Sequence, residues 1–222
     1  MRLLFMIGLV TLFFSGCTGE AAVPVEQARP EHRVEAAALE ADLPEVPSFY
    51  KGYRPSPHVT DDRKLREPGQ AFRDSRGEAV VLKATGEQKR VSAGPGELTI
   101  REAKVLRYKP ADRLTDHYRP FTGEEEFSFV KLFIEVRNTG DEPVRFDPIA
   151  VIGTDTGETL LWEEDIYLEG LDGVIAPGET RAGNVGIILE AADAKLLTVR
   201  TGDVSRVNGE GIAAGAETEI RF

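Results

Sequence analysis

Cysteine is almost missing: Cys17 is the single thiol in 222 residues. No disulfide can form within the chain, and zinc sites built on paired cysteines are excluded. Histidine is scarce too. His32, His58 and His117 show no His-x-x-x-His spacing. Neither a Gly-x-Ser-x-Gly elbow nor a phosphate-cradling glycine loop occurs, so the common hydrolase and nucleotide-binding signatures are absent. The chain lacks an apolar run of ~20 residues, the length a permanent membrane-spanning helix requires. It also lacks net positive charge. The formal charge is −11 and the isoelectric point about 4.9, which argues against nucleic acid, since phosphate neutralisation needs a basic surface.

The first seventeen residues are informative. Arg2 is followed by a mostly apolar run from Leu3 to Phe14, then by small Ser15 and Gly16 and by Cys17. This is the anatomy of a secretory signal peptide. Phe14-Ser15-Gly16-Cys17 resembles the bacterial lipoprotein signal, with Phe14 where that pattern usually has Leu. The resemblance implies cleavage between Gly16 and Cys17, acylation of Cys17, and a lipid bilayer as the chain's first partner. Multiple acyl chains anchor firmly, at ~0.8 kcal/mol per buried methylene. Thr18 after the cysteine implies the outer membrane in a Gram-negative cell. The alternative is an ordinary signal peptide with an incidental thiol.

Seven of the 13 prolines fall between Thr18 and Pro68. Proline fixes φ and withholds a donor, so residues 17–77 read as a lipidated, Pro-rich tether interrupted by one Ala-rich segment of helical composition, Glu31 to Pro47. Residues 51–90 carry 10 basic and 6 acidic side chains, a basic stretch between two acidic ones. Phe49, Tyr50 and Tyr53 sit there beside Lys51 and Arg54. Such a mixture suits an anionic partner, or else docks on the domain's own acidic surface.

From residue 78 to 222 the pattern is β. In "FSFVKLFIEVRN", Val130, Leu132, Ile134 and Val136 share one face by the period-2 rule, while Phe127, Phe129 and Phe133 occupy the other. Thr85-Gly86 reads as a hairpin between two short runs. Leu98 and Ile100, with Ala103 and Val105, form one side of a further strand. "GTDTGE" reads as a tight loop and Pro177-Gly178 as a turn. Many short strands, frequent turns and few helix candidates predict an all-β, antiparallel sandwich.

"FVKLFIEVRNTGDEPVRFDP", "GTDTGETL" and "IAPGETRAGNVGIIL" together resemble the telokin-like, immunoglobulin-fold domain of secreted bacterial lipoproteins, over roughly residues 90–200. That resemblance implies an immunoglobulin-like β-sandwich outside the cytoplasm and transfers no catalytic residue, metal or cofactor.

The expectation is therefore a non-catalytic binding module anchored at the cell envelope, with a protein or polymer partner and no nucleic acid. Candidate contact residues are Tyr108, Tyr118 and Phe121 of the long 106–126 loop, and Phe49, Tyr50 and Tyr53 of the tether. The alternatives are an accessory structural subunit of an envelope complex, or a metal-assisted enzyme. For the latter, Glu124-Glu125-Glu126 and Glu163-Glu164-Asp165 offer oxygen ligands without EF-hand spacing, and His117 lies near Asp112 and Asp116.

Overall fold

The computed structural model describes residues 44–222. Gly16, Cys17, the signal-like run and the first part of the tether lie outside the described residues.

The fold is organised by two long neighbouring strands, β4 (Gly96–Pro110) and β5 (Phe127–Asn138). β5 is flanked on its other side by β10 (Thr180–Leu189), and β4 by β2 (Gly77–Thr85), beyond which lies β1 (Ala71–Asp74). All these pairings are antiparallel. β3 (Lys89–Ala93) completes this six-stranded sheet by pairing with the first third of β4. Two four-stranded sheets face it. In one, β11 (Leu196–Arg200) lies between β14 (Glu217–Arg221) and β7 (Val151–Thr154), with β8 (Thr159–Leu161) at the edge. In the other, β6 (Val144–Phe146) lies between β9 (Gly173–Ile175) and β12 (Val204–Arg206), with β13 (Gly211–Ala213) at the edge. The result is the expected all-β sandwich.

Its core lies between the large sheet and the two small ones. Val130, Leu132, Ile134 and Val136 of β5 meet Ile152, Leu197, Val199 and Ile220 of one small sheet, and Val144, Phe146, Ile175 and Val204 of the other. β4 contributes Leu98 and Ile100, then Ala103 and Val105, a sequence that breaks strict alternation. A bulge between Ile100 and Glu102 explains it: the extra residue re-aims the strand, so both pairs face the core.

The 85–88 segment departs from expectation. β2 and β3 do not form a hairpin with each other. Each pairs with β4, β3 along Gly96–Ile100 and β2 along Ala103–Pro110. At 15 residues β4 is long enough to hold both end to end. The tight turn lies instead at Gly94-Pro95, where Ala93 pairs with Gly96 and Gly94 takes a φ of +55°, a conformation open to glycine at the first central position of a two-residue hairpin.

The tether expected to continue to residue 77 ends earlier. The described residues, 44–222, fall in one compact unit. Val59 and Leu65 join Ala79, Val81, Leu106, Phe127 and Phe129 in a second apolar cluster on the far face of the large sheet. That face carries too many aromatic side chains to stand in water, and the segment from Pro44 to Gln70 covers it as a strap. Since both faces are buried, β5 reads as a near-continuous hydrophobic run. No helix among the described residues is long and apolar enough to cross a membrane.

Candidate functional site

Burial divides the six aromatic candidates. Tyr50, Tyr108 and Tyr118 lie in the interior, at most 2% exposed, and cannot meet a partner at the surface. The Tyr118 hydroxyl donates to the His58 carbonyl at 2.8 Å, and the Tyr108 hydroxyl to the Arg76 carbonyl at 2.8 Å. Both rings thus rivet the strap and its neighbouring turn to the sheet. Phe49, Tyr50 and Tyr53 gather around Phe133, with ring centroids 5.7, 4.2 and 5.3 Å from it. The aromatics of the basic stretch therefore dock on the chain's own sheet. Two of its arginines pair with neighbouring carboxylates, Arg63 with Asp61 at 2.7 Å and Arg76 with Asp74. His117 stacks on His58 at 3.8 Å, and Asp116 pairs with Arg119 at 3.1 Å. No group of three potential metal ligands occurs among the described residues.

Phe121 is different. It lines an open groove of about 750 Å³, between the connection that leads into β5 and the end of β10. That volume lies within the ~300–1,000 Å³ typical of ligand sites. Phe121, Phe127, Ile188 and Leu189 supply the apolar surface. Glu124, Glu126, Glu163, Glu164 and Glu190 supply carboxylates, and no basic side chain lines the groove among the described residues. The two acidic runs read separately in the sequence converge here from opposite sides. β10 is the edge of the large sheet. Its outer edge is occupied at Gly186, whose carbonyl accepts from the Ile166 N–H at 2.8 Å. By the two-residue repeat, the same edge next faces outward at Ile188, inside the groove.

A second constellation lies under the strap. Lys104 and Lys131 are direct cross-strand neighbours on β4 and β5, pointing away from the main core. Like charges so placed repel, and both residues are 1% exposed. The strap supplies the counter-charge. Asp62, 3% exposed, accepts from Lys131 Nζ at 2.6 and 2.7 Å and from Lys104 Nζ at 2.9 Å. Glu102, 6% exposed, lies 2.8 Å from Lys104 and 3.6 Å from Lys131. The Tyr50 hydroxyl donates to Glu102 Oε1 and accepts from Lys131 Nζ at 2.9 Å. Burial works to raise the Asp62 pKa, but Lys104 and Lys131 overcome it and hold the carboxyl down at about 2. Burial likewise works against a charged Lys104, and Asp62 with Glu102 reverses it, raising that lysine. Burial, then Asp62 and Glu102, drives the Tyr50 phenol well above its usual range.

A third group pins the loop before β9 to the edge of β10. Asp165 accepts backbone N–H bonds from Tyr167, Leu168 and Gly186 at 3.1, 3.0 and 2.8 Å. Burial nevertheless raises its pKa to about 6. Beside it, Glu169 Oε1 accepts from the Tyr53 hydroxyl at 2.6 Å.

Sequence reasoning passed over Asp62, Glu102, Lys104 and Lys131. One cue was present: Lys131 lies between Phe129 and Phe133 on one face of the most hydrophobic strand. A lone charge in an aromatic stripe needs a buried partner.

Together these features define an antiparallel β-sandwich protein whose large sheet is covered on its outer face by an N-terminal strap, with an acidic groove at one end. No family model matches the chain. It is 34% identical, over 242 aligned positions spanning 100% of both chains, to the uncharacterised protein YdhF of Bacillus subtilis (strain 168), and it belongs to that protein's family. A functionally unknown protein from Listeria monocytogenes EGD-e is similar in structure, at 10% identity and a TM-score of 0.49, over 66% of this chain and 87% of that one. The yjhA protein from Bacillus subtilis matches at 12% identity and a TM-score of 0.31, over 71% and 99%.

Proposed function

We propose that the protein is an envelope lipoprotein, held at a membrane surface through acylated Cys17, whose telokin-like immunoglobulin sandwich binds a partner without catalysis. The occupant is a cationic, extended segment of an envelope protein or polymer. The groove carries this reading, because five carboxylates around an apolar floor, one of them (Glu126) 3.5 Å from Arg107 and no basic side chain among the described residues lining the groove itself, favour a ligand bearing positive charge and an apolar group. The strand edge at Ile188 suits an extended backbone.

Titration calorimetry of the full chain, with a short peptide of alternating lysine and aromatic residues, tests the groove. Binding should weaken steeply between low and physiological salt, and in a Glu124→Gln/Glu126→Gln variant. Absence of binding at low salt, or binding indifferent to those substitutions, refutes the occupant. A stoichiometric divalent metal held by the same carboxylates would favour metal-assisted chemistry instead. Intact mass of membrane-extracted protein, beside Cys17→Ala, tests the anchor independently. Acyl mass on a chain beginning at Cys17, lost in the variant, is the expected result.

A further inference from the structure

The cluster beneath the strap has the parts needed to make a covalent bond. An amine, a carboxyl, a second carboxyl and a phenol are linked in one hydrogen-bonded circuit, screened from water by Phe49, Tyr53 and Phe133. Lys131 is distinguished from Lys104 by its approach. Its Nζ contacts both oxygens of Asp62, at 2.6 and 2.7 Å, so it is centred on the carboxylate. Lys104 contacts one carboxyl oxygen and the Asp62 main-chain carbonyl, both at 2.9 Å. The neutral amine and neutral acid that bond formation requires differ from this ion pair only by one proton passed between the two groups.

We propose that Lys131 and Asp62 join in an intramolecular isopeptide bond that fastens the strap to the centre of the large sheet. The Lys131 nitrogen attacks the Asp62 carboxyl carbon, a C–N bond forms, and the bond from that carbon to Oδ2 breaks. Two protons must leave the nitrogen, and both end on the departing oxygen, so an ammonium and a carboxylate become an amide and one water. Neither oxidant nor reductant is needed. The circuit supplies the proton path: Lys131 Nζ to the Tyr50 hydroxyl, on to Glu102 Oε1, then to Lys104 Nζ, which bridges Glu102 at 2.8 Å and Asp62 Oδ2 at 2.9 Å. After two passes Tyr50, Glu102 and Lys104 have regained their starting protons.

Two further observations fit this step. Amide formation removes one buried positive and one buried negative charge and leaves Lys104 paired with Glu102, so the interior stays balanced. The departing water also has a place to go. Asp62, Tyr167 and Asn184 line a cavity of about 10 Å³, close to the minimum that holds one water. The buried Tyr167 hydroxyl and Asn184 Oδ1 have no hydrogen-bond partner among the described residues.

The test is a peptide map of the denatured full chain by mass spectrometry, which is independent of processing or acylation at the N-terminus. The expected result is a branched peptide joining the segment with Asp62 to the segment with Lys131, lighter than their sum by one water and uncut by trypsin after Lys131. Tyr50→Phe, which interrupts the proton path with little change of volume, should give mostly unlinked peptides from protein with unchanged circular dichroism. Glu102→Gln should do the same. Separate Asp62 and Lys131 peptides of full mass from the natural chain overturn the proposal and leave an ion cluster. A branch through Lys104 overturns the assignment of Lys131. Linkage undiminished in Tyr50→Phe overturns the proton path.

Discussion

Asn138 is the position at which the fold should prove most sensitive to a small polar change. It ends β5 and is fully buried. Its side-chain amide donates to the Glu142 carbonyl at 2.7 Å and to the Ile175 carbonyl at 3.0 Å, and its Oδ1 accepts from the Gly140 N–H at 2.9 Å. Its main chain accepts from Gly178 N–H at 3.0 Å and donates to the Glu179 carbonyl at 3.1 Å. The "NTG" motif at Asn138 and the "PGE" motif at Pro177, far apart in the chain, are thus one joint between the two layers. Asn138→Ala keeps the main-chain bonds and removes the three from the side chain. Glu142 is exposed and Gly140 half-exposed, so water replaces their partner and each loss costs about 0.5–1.5 kcal/mol. Ile175 is fully buried, and stranding its carbonyl costs about 1–3 kcal/mol. The sum is about 2–6 kcal/mol, a large part of the ~5–15 kcal/mol a domain of this kind commands. Urea unfolding of full-length protein, followed by tryptophan fluorescence from Trp162, reads this as a lower midpoint with an unchanged slope. Thr139→Ala is the control. Its hydroxyl makes one exposed bond, to the Pro95 carbonyl at 3.0 Å, and its loss should cost under about 1 kcal/mol. Equal effects of the two substitutions would refute the reasoning, because burial of the acceptor would then not be what sets the cost.

Lys104→Met should cost about 3–5 kcal/mol in the same assay, because it leaves Glu102 buried without its nearest cation whether or not Asp62 is linked to Lys131; a cost under about 1 kcal/mol would mean that water reaches Glu102. Asp165 should make stability fall as pH rises. Its folded pKa, about 6, lies above its unfolded value near 3.8, so its contribution is complete below about pH 4 and is lost as pH climbs through 6. The difference between the natural chain and Asp165→Asn, measured from pH 4 to 7, should change by on the order of 2–3 kcal/mol. A difference that stays flat shows that the three N–H donors, rather than burial, govern this carboxyl.

The sheet carrying the main core was legible because one face of each long strand follows a simple repeat. Val130, Leu132, Ile134 and Val136 announce β5, and the Pro177-Gly178 turn announces β10, since Gly178 must take its φ of +70° there. What escaped was pairing. Nothing local tells β2 and β3 to share β4 rather than fold on each other, because that choice depends on the length of β4 and on a turn at Gly94-Pro95. The bulge after Ile100 was half visible, as an alternation that slips by one residue while staying apolar.

The strap was missed for a related reason. Prolines at 44, 47, 55, 57 and 68 suggest an extended spacer, and an extended segment is also what is needed to lie across a sheet face without forming a strand of it. Composition cannot separate the two cases; the partner surface does. In β5 the signs were Phe127, Phe129 and Phe133 on a face that would otherwise be wet, with Lys131 among them. An aromatic stripe calls for a cover, and an embedded lysine calls for a buried carboxylate that its own strand does not supply. Phe49, Tyr50 and Tyr53 followed by Asp61 and Asp62 meet both needs in a single segment. The same aromatic residues that suggest contact with an anionic partner are, in the fold, the means by which the chain closes its second core. Of the six aromatic candidates, Phe121 is the one that lines the open acidic groove, where the side chains of the connection into β5 meet the end of β10.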